Sequence, residues 1–205
     1  MAFNKYFKRD KIIFAIEPDK RNLNFLSYNL RNEKNIIILQ TGIGSKTEIK
    51  TFGIPDFQKL RKGEQGVNTG NISLYHNNSY SNDKMKIVKL DDLLSSFFAE
   101  DDKTLLIKID VEGHEMEVVK GMKSTIDKAM TIVIIEINPN TQKLAKYNLN
   151  DLLKIFEKYK CYIPKNVDFM IDNDGMPSHS MNIILSPIEF EKNSLNAMKY
   201  CEYKI

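Results

Sequence analysis

Four ionisable residues crowd one short stretch of the chain: Asp110, Glu112, His114 and Glu115. A carboxylate cluster with one imidazole can bind a divalent cation, or it can give and take protons as general acid and base. A structural role competes, because glutamates at a helix start interact favourably with the helix dipole. The residue types leave Asp110 open between these roles and favour the helix role for Glu115 and Glu117. Glu17 is a second candidate. It closes a short apolar run, where nucleoside-binding α/β folds place an acidic residue against ribose. A carboxylate suits a vicinal diol because it offers acceptors only. The competing role for Glu17 is a solvated strand-end charge ahead of a capping turn. Glu136 interrupts the apolar run Thr131 to Ile137, so it needs a partner or a polar cleft. Lys108 is expected to snorkel or to pair with a nearby carboxylate. His76 and His179 are isolated and carry no assigned role.

The elements around these residues follow from hydrophobic periodicity. Leu105 to Ile109 reads as a buried strand, and Gly113 suits a tight turn after it. Met116, Val119, Met122 and Ile126 then recur at helical spacing. Strand, turn and helix in that order put the ionisable cluster at a carboxyl strand end, where open α/β sheets hold ligands. Upstream, Lys11 to Ile16 predicts a strand that stops at Pro18. Asp19 is the expected N-cap of a helix carrying Leu23, Leu26 and Leu30. Ile36 to Gln40 predicts another buried strand, running into a turn over Thr41, Gly42, Ile43, Gly44 and Ser45.

The rest of the chain is read the same way. Residues 3–9 look like the end of a helix. Residues 52–84 lack clear periodicity and are long for a loop, the signature of a lid or a disordered segment. Short strands at Ile49–Phe52 and Ile72–Tyr75 are expected around and within it. Met85 to Lys89 reads as an edge strand, and Leu90, Leu93, Leu94, Phe97 and Phe98 as a helix. Asn138, Pro139 and Asn140 end the Thr131–Ile137 strand. Asn150 is the expected cap of a helix carrying Leu152, Leu153, Phe156 and Tyr159. Cys161–Pro164 reads as a strand, and Val167–Asp172 as the partner of Met181–Ser186 across the Asn173–Gly175 turn. Pro187 onward is expected to form a final helix. This β-α-β-α order predicts a mainly parallel sheet with helices on both faces.

Bulk properties bound the function. The chain has 205 residues, 42% hydrophobic and 28% charged, which suits one globular domain over 1–205. A net charge of +3 with both signs interspersed gives no electrostatic case for nucleic acid or an anionic membrane. No apolar run is long enough for a transmembrane helix, and the first ten residues lack a signal-peptide core. Cys161 and Cys201 form neither a metal motif nor a disulfide framework, so a reducing cytoplasm is the expected location.

Taken together, several motifs resemble one family. They are Phe14-Ala15-Ile16-Glu17-Pro18, Asn29-Leu30, Gly42-Ile43-Gly44, Lys89-Leu90-Asp91-Asp92-Leu93-Leu94, Ile107 through Glu115, Val119-Lys120-Gly121 and Ile135-Glu136. Over about residues 11–137 the chain resembles the FkbM family of S-adenosylmethionine-dependent methyltransferases. The Lys-Ile-Asp-Val-Glu-Gly-His-Glu stretch is the most specific part. The resemblance implies a class I methyltransferase fold, a Rossmann-like three-layer sandwich with a mostly parallel sheet and an antiparallel C-terminal strand. Residues 138–205 would supply the C-terminal strands and helix. It also implies that Glu17 holds the cofactor ribose, that Thr41, Gly42 and Ile43 lie beside the adenosine, and that Asp110 faces the methyl donor and acceptor. Glu112 and His114 would line the same cleft, with Asp110 or His114 as base. The implied reaction is O-methylation of a hydroxyl on a sugar or small metabolite.

In this family a glycine-rich strand and turn precede the Glu-Pro pair. Residues 1–16 contain nothing similar, so the first strand of the fold is expected to be missing. Exposed sheet edges would then favour pairing with another chain in an oligomer. Two further readings stand beside the enzyme: a truncated or decayed fold acting as a non-catalytic binding or assembly module, and a metal site at Asp110, Glu112 and His114. The acceptor itself is not encoded in any motif.

Overall fold

The computed structural model describes residues 12–54, 81–95, 104–128, 130–165, 169–189 and 191–203. The expected elements at residues 3–9 and Ile72–Tyr75 lie outside these residues, as do Phe97 and Phe98. The fold is mixed α/β, with three sheets in place of the single sheet expected.

The first sheet pairs β1 (Ile13–Ile16) with β2 (Ile36–Leu39) in parallel, Ile13 opposite Ile36. Helix α1 (Lys20–Leu30) connects them. Asp19 caps it as expected, its side chain accepting from Arg21 N at 2.8 Å. The two glycines after β2 do not simply make a turn. Gly42–Ile43 forms β3, which pairs in parallel with β5 (Ser81–Val88). Strand β4 (Glu48–Ile54) runs antiparallel on the other side of β5. The expected edge strand at Met85–Lys89 is therefore the centre of a three-stranded sheet, because β3 and β4 occupy both its edges. Phe52, Met85 and Ile87 make a small core there.

Helix α2 (Leu90–Leu94) leads towards β6 (Thr104–Ile109), which joins a five-stranded sheet. Helices α3 (Glu115–Lys120) and α4 (Lys123–Lys128) then precede β7 (Met130–Ile137). The single helix expected over 116–126 is broken at Gly121, yet Met116, Val119, Met122 and Ile126 all stay buried. Helix α5 (Pro139–Ala145) follows on an Asn138 cap and was not foreseen. Helix α6 (Leu149–Ile155) is capped by Asn148, two residues before the expected Asn150, because Asn148 Oδ1 reaches Asp151 N at 2.9 Å. Strand β8 (Lys160–Pro164), β9 (Met181–Ser186), α7 (Lys192–Met198) and β10 (Tyr200–Tyr203) complete the chain.

The order of this sheet is β10-β8-β9-β7-β6, and only β6–β7 is a parallel pair. The sheets are mixed where a mostly parallel one was expected: β4–β5 is antiparallel in addition to the C-terminal pairs, which were expected to be antiparallel. Strand β9 inserts, reversed, between β7 and β8, which converts two neighbour pairs to antiparallel. Residues 169–172 do not pair with β9 either. Ile171 makes only an isolated bridge to Pro177. The main core sits on one face of this sheet. Val133, Ile135, Ile137, Leu152, Phe156, Ile183 and Leu185 are fully buried there. Burial of each such side chain contributes roughly 1.5–3 kcal/mol.

Strand β6 departs from the buried strand expected: its residues alternate, and only Ile109 is fully covered. All four residues of β1 are half-buried. Among the described residues β1 pairs only with β2 and β6 only with β7, so one edge of each carries no strand.

Candidate active site

The carboxyl ends of β1, β6 and β7 open onto one cleft of about 620 Å³. Its walls bring together Glu17 and Asp19 after β1, Thr41, Gly42 and Ile43 at β3, and Asp110, Glu112 and His114 after β6. Of the candidates named in the sequence, Glu17, Thr41, Gly42, Ile43, Asp110, Glu112 and His114 line the same space, and Glu115 does not. Ile16, Ile43, Met85, Ile87, Leu90 and Val118 give the cleft an apolar side.

Each group is positioned by local chemistry. Glu17 turns its Oε1 back to accept from Asp19 N at 2.8 Å. Burial raises its carboxyl above the ordinary glutamate value, partly offset by that bond. Asp19 is buried at the start of α1. Burial would raise it too, but its hydrogen bonds and ion pair with Arg21 outweigh this and hold it low. Thr41 Oγ1 donates to Lys86 O at 2.9 Å and fixes β3 beside β5.

The turn after β6 is tightly specified. Gly113 has φ 102°, and a Cβ there would stand 3.0 Å from Thr141 O. Glu112 has φ 50°, a left-handed conformation unusual for a residue with a side chain and one that marks stored strain. Glu115 holds the turn from below. It is 3% exposed, and its carboxylate accepts from Gly113 N at 3.0 Å and from Tyr147 Oη at 2.5 Å. Glu115 is accordingly a structural anchor, the role its helix-start position favours. Glu117 faces outward to Lys120 and bonds the Ser45 hydroxyl.

His114 is 5% exposed and packs against Gly44, where an added Cβ would lie 3.2 Å from its Nε2. Burial pushes the imidazole down to about 4, helped by the Lys50 charge and opposed by Glu117 and Glu48. It is neutral at pH 7. Beneath it the chain makes a backbone-to-backbone contact. A Cβ on Gly121 would fall 2.0 Å from Gly44 O. The Gly44–Ser45 backbone therefore sits directly on the α3–α4 junction at Gly121, with no side chain between.

Lys108 and Glu136, marked in the sequence as charges needing a partner or a polar cleft but given no site role, also line the cleft. Lys108 Nζ lies 3.2 Å from Asp110 Oδ2 and 3.8 Å from Glu136 Oε2. The Glu136 carboxyl is raised, first by its hydrogen bond with Asp110, then by burial and the Asp110 charge, against the pull of Lys108. The signal for both was an ionic residue in an apolar strand. Asp91 was visible only as part of a motif. It accepts from Ser124 N, Thr125 N and Thr125 Oγ1 at 3.0, 2.8 and 2.7 Å, tying α2 to the start of α4. Among the described residues no group of three or more His, Cys, Asp and Glu side chains is arranged to hold a metal ion.

Comparison with known proteins now bears on this cleft. A family profile described as "Methyltransferase FkbM domain" matches residues 1–161. The chain belongs to the FkbM methyltransferase family. Its motifs from Glu17 to Glu136 all fall within the matched span. A curated relative, the hexuronic acid methyltransferase AglP of Haloferax volcanii, is 30% identical over 128 residues, 62% of this chain and 47% of the relative. A solved structure, methyltransferase FkbM from Methylobacillus flagellatus, superposes with a TM-score of 0.48 at 18% identity, covering 85% of this chain and 36% of that one. This FkbM chain thus spans less than half the length of either protein. No helix among its described residues is long and apolar enough to cross a membrane.

Proposed function

We propose that this chain forms the cofactor- and acceptor-binding part of an S-adenosylmethionine-dependent O-methyltransferase acting on a hydroxyl of a sugar or small metabolite. The observation that carries the reading is the convergence of Glu17, Thr41–Ile43 and Asp110 on one cleft in an FkbM-family chain. The donor set fits the cofactor. Glu17 offers an acceptor-only carboxylate suited to ribose hydroxyls, and the apolar side of the cleft suits an adenine ring. The surrounding carboxylates suit a cationic sulfonium. In this reading the strands follow a class I, Rossmann-like arrangement around the cleft, within the cytoplasm. When bound, the cofactor supplies an electrophilic methyl group.

The protein's own residues would then provide alignment and a proton acceptor. Glu17 would anchor the nucleoside and Thr41, Gly42 and Ile43 flank it. Asp110 and Glu112 would face the reacting hydroxyl. A saccharide acceptor is supported by the hexuronic acid methyltransferase among the relatives. His114, neutral and packed on Gly44, is better suited to shaping the wall than to taking the proton.

Calorimetric titration with S-adenosylmethionine tests the reading. Binding by the wild-type chain is expected, and Glu17→Ala should weaken it roughly 10- to 100-fold through loss of bonds to a charged acceptor. No binding at millimolar ligand would leave the non-catalytic binding module as the better description.

A further inference from the structure

The cleft contains a pair of carboxylates that the site described so far does not use together. Strands β6 and β7 run parallel with Ile109 opposite Ile135. Continuing that register by one residue sets Asp110 beside Glu136. Side chains alternate along a strand, so Lys108 shares the face of Asp110. Along β7, Val133, Ile135 and Ile137 enter the core while Ile134 and Glu136 take the opposite, half-buried face. Glu136 is therefore excluded from the core by its position and delivered to the cleft. The charged groups around it are Lys108 from β6 and Asp110 and Glu112 from the turn after it. On the other side β9 places Asn182 opposite it.

This geometry sets the Glu136 carboxyl beside the Asp110 charge, which makes the ionised form of Glu136 costlier. With both ionised they repel, and Lys108 offsets only part of that repulsion. With one proton bound they can share a hydrogen bond. A carboxyl raised in this way accepts a proton more readily than an ordinary glutamate.

We propose that Glu136, braced by Asp110 and Lys108, takes the proton of the acceptor hydroxyl during methyl transfer. The proposal rests on the methyltransferase reading above. The balance is simple. The acceptor oxygen bonds to the methyl carbon, the sulfur–carbon bond breaks with its electron pair left on sulfur, and the hydroxyl proton passes to Glu136. One positive charge disappears from sulfur as one proton arrives on the pair. The charge within the cleft is unchanged across the step, which avoids the cost of creating a charge there.

The same coupling can be read without turnover. S-adenosylmethionine brings a positive sulfonium and S-adenosylhomocysteine a neutral thioether. The positive ligand should therefore displace a proton from the pair and the neutral one should not. Calorimetry of both ligands in two buffers of different ionisation enthalpy measures that proton. Across the titration range of the pair, wild-type protein is expected to release a fraction of a proton with S-adenosylmethionine only. Glu136→Gln should lose this difference, and Glu136→Asp should keep part of it. Carbon-13 shifts of the wild-type carboxyl groups give an independent readout, a Glu136 midpoint that falls with S-adenosylmethionine and holds with S-adenosylhomocysteine. Equal proton exchange with the two ligands, or a difference that survives in Glu136→Gln, would overturn the proposal. A wild-type chain that binds neither ligand would instead overturn the methyltransferase reading on which it rests.

Discussion

Replacing Glu115 with alanine should cost the protein stability rather than chemistry. The side chain is 3% exposed and accepts two hydrogen bonds, from Gly113 N–H at 3.0 Å and Tyr147 O–H at 2.5 Å. Hydrogen bonds to a charged partner contribute about 1.5–3 kcal/mol each, and a donor left buried without an acceptor adds its own penalty. Gly113 N–H has no route to water in that turn, since the glycine is buried. Glu115→Ala should therefore destabilise by about 3–5 kcal/mol. For a chain of this size that is a fall in Tm of roughly 6–20 °C. Tyr147→Phe removes one bond only and should cost about 1–2 kcal/mol. The double variant should cost less than the sum of the two, because the shared bond is then lost once. Urea unfolding of the four proteins provides all the numbers. A Glu115→Ala loss below about 1 kcal/mol, or strictly additive values, would refute the anchoring role.

Two other outcomes follow from the same region. Gly121→Ala should destabilise by about 2 kcal/mol or more, because its Cβ would fall 2.0 Å from Gly44 O and backbone must move. Serine at the same position should be no better, and equilibrium unfolding of both variants checks this. His114 predicts an acid limb in stability. Its imidazole titrates near 6.5 when unfolded and near 4 when folded, so between those values the unfolded chain holds more protons. Stability is complete above pH 6.5 and declines as pH falls through this window, by up to about 3 kcal/mol. His114→Gln should flatten that part of the stability curve, as measured by unfolding at a series of pH values.

The legibility of this chain in its sequence was uneven, for physical reasons. Asp19, Gly113 and the spacing of Met116, Val119, Met122 and Ile126 depend on local rules, and the structure places them as those rules require. That Glu17, Asp110, Glu112 and His114 line one cleft was partly legible, because ionisable groups at strand ends leave a polar mark on an apolar run. Glu136 and Lys108 carried that mark, but their pairing needed the β6–β7 register, a non-local fact. Sheet order was the least legible. Nothing near Met181 states that β9 will insert between β7 and β8. Gly121 gave no hint of its contact with Gly44, which lies far away in the chain. The Asn148 cap was missed because Asn150 offers the same side chain two positions later.

The strand edges of β1 and β6 carry a consequence for tolerance to mutation. Residues of both strands line the cleft, and among the described residues neither strand has a neighbour on its second edge. An extended edge presents main-chain N–H and C=O groups, which remain strong donors and acceptors whatever side chain they carry. A ligand that reached these edges would meet peptide groups there. That part of its recognition would survive replacement of the side chains around it and would be invisible to alanine scanning. Backbone-altering changes, such as proline or an ester bond within β1 or β6, are the ones to which it would respond.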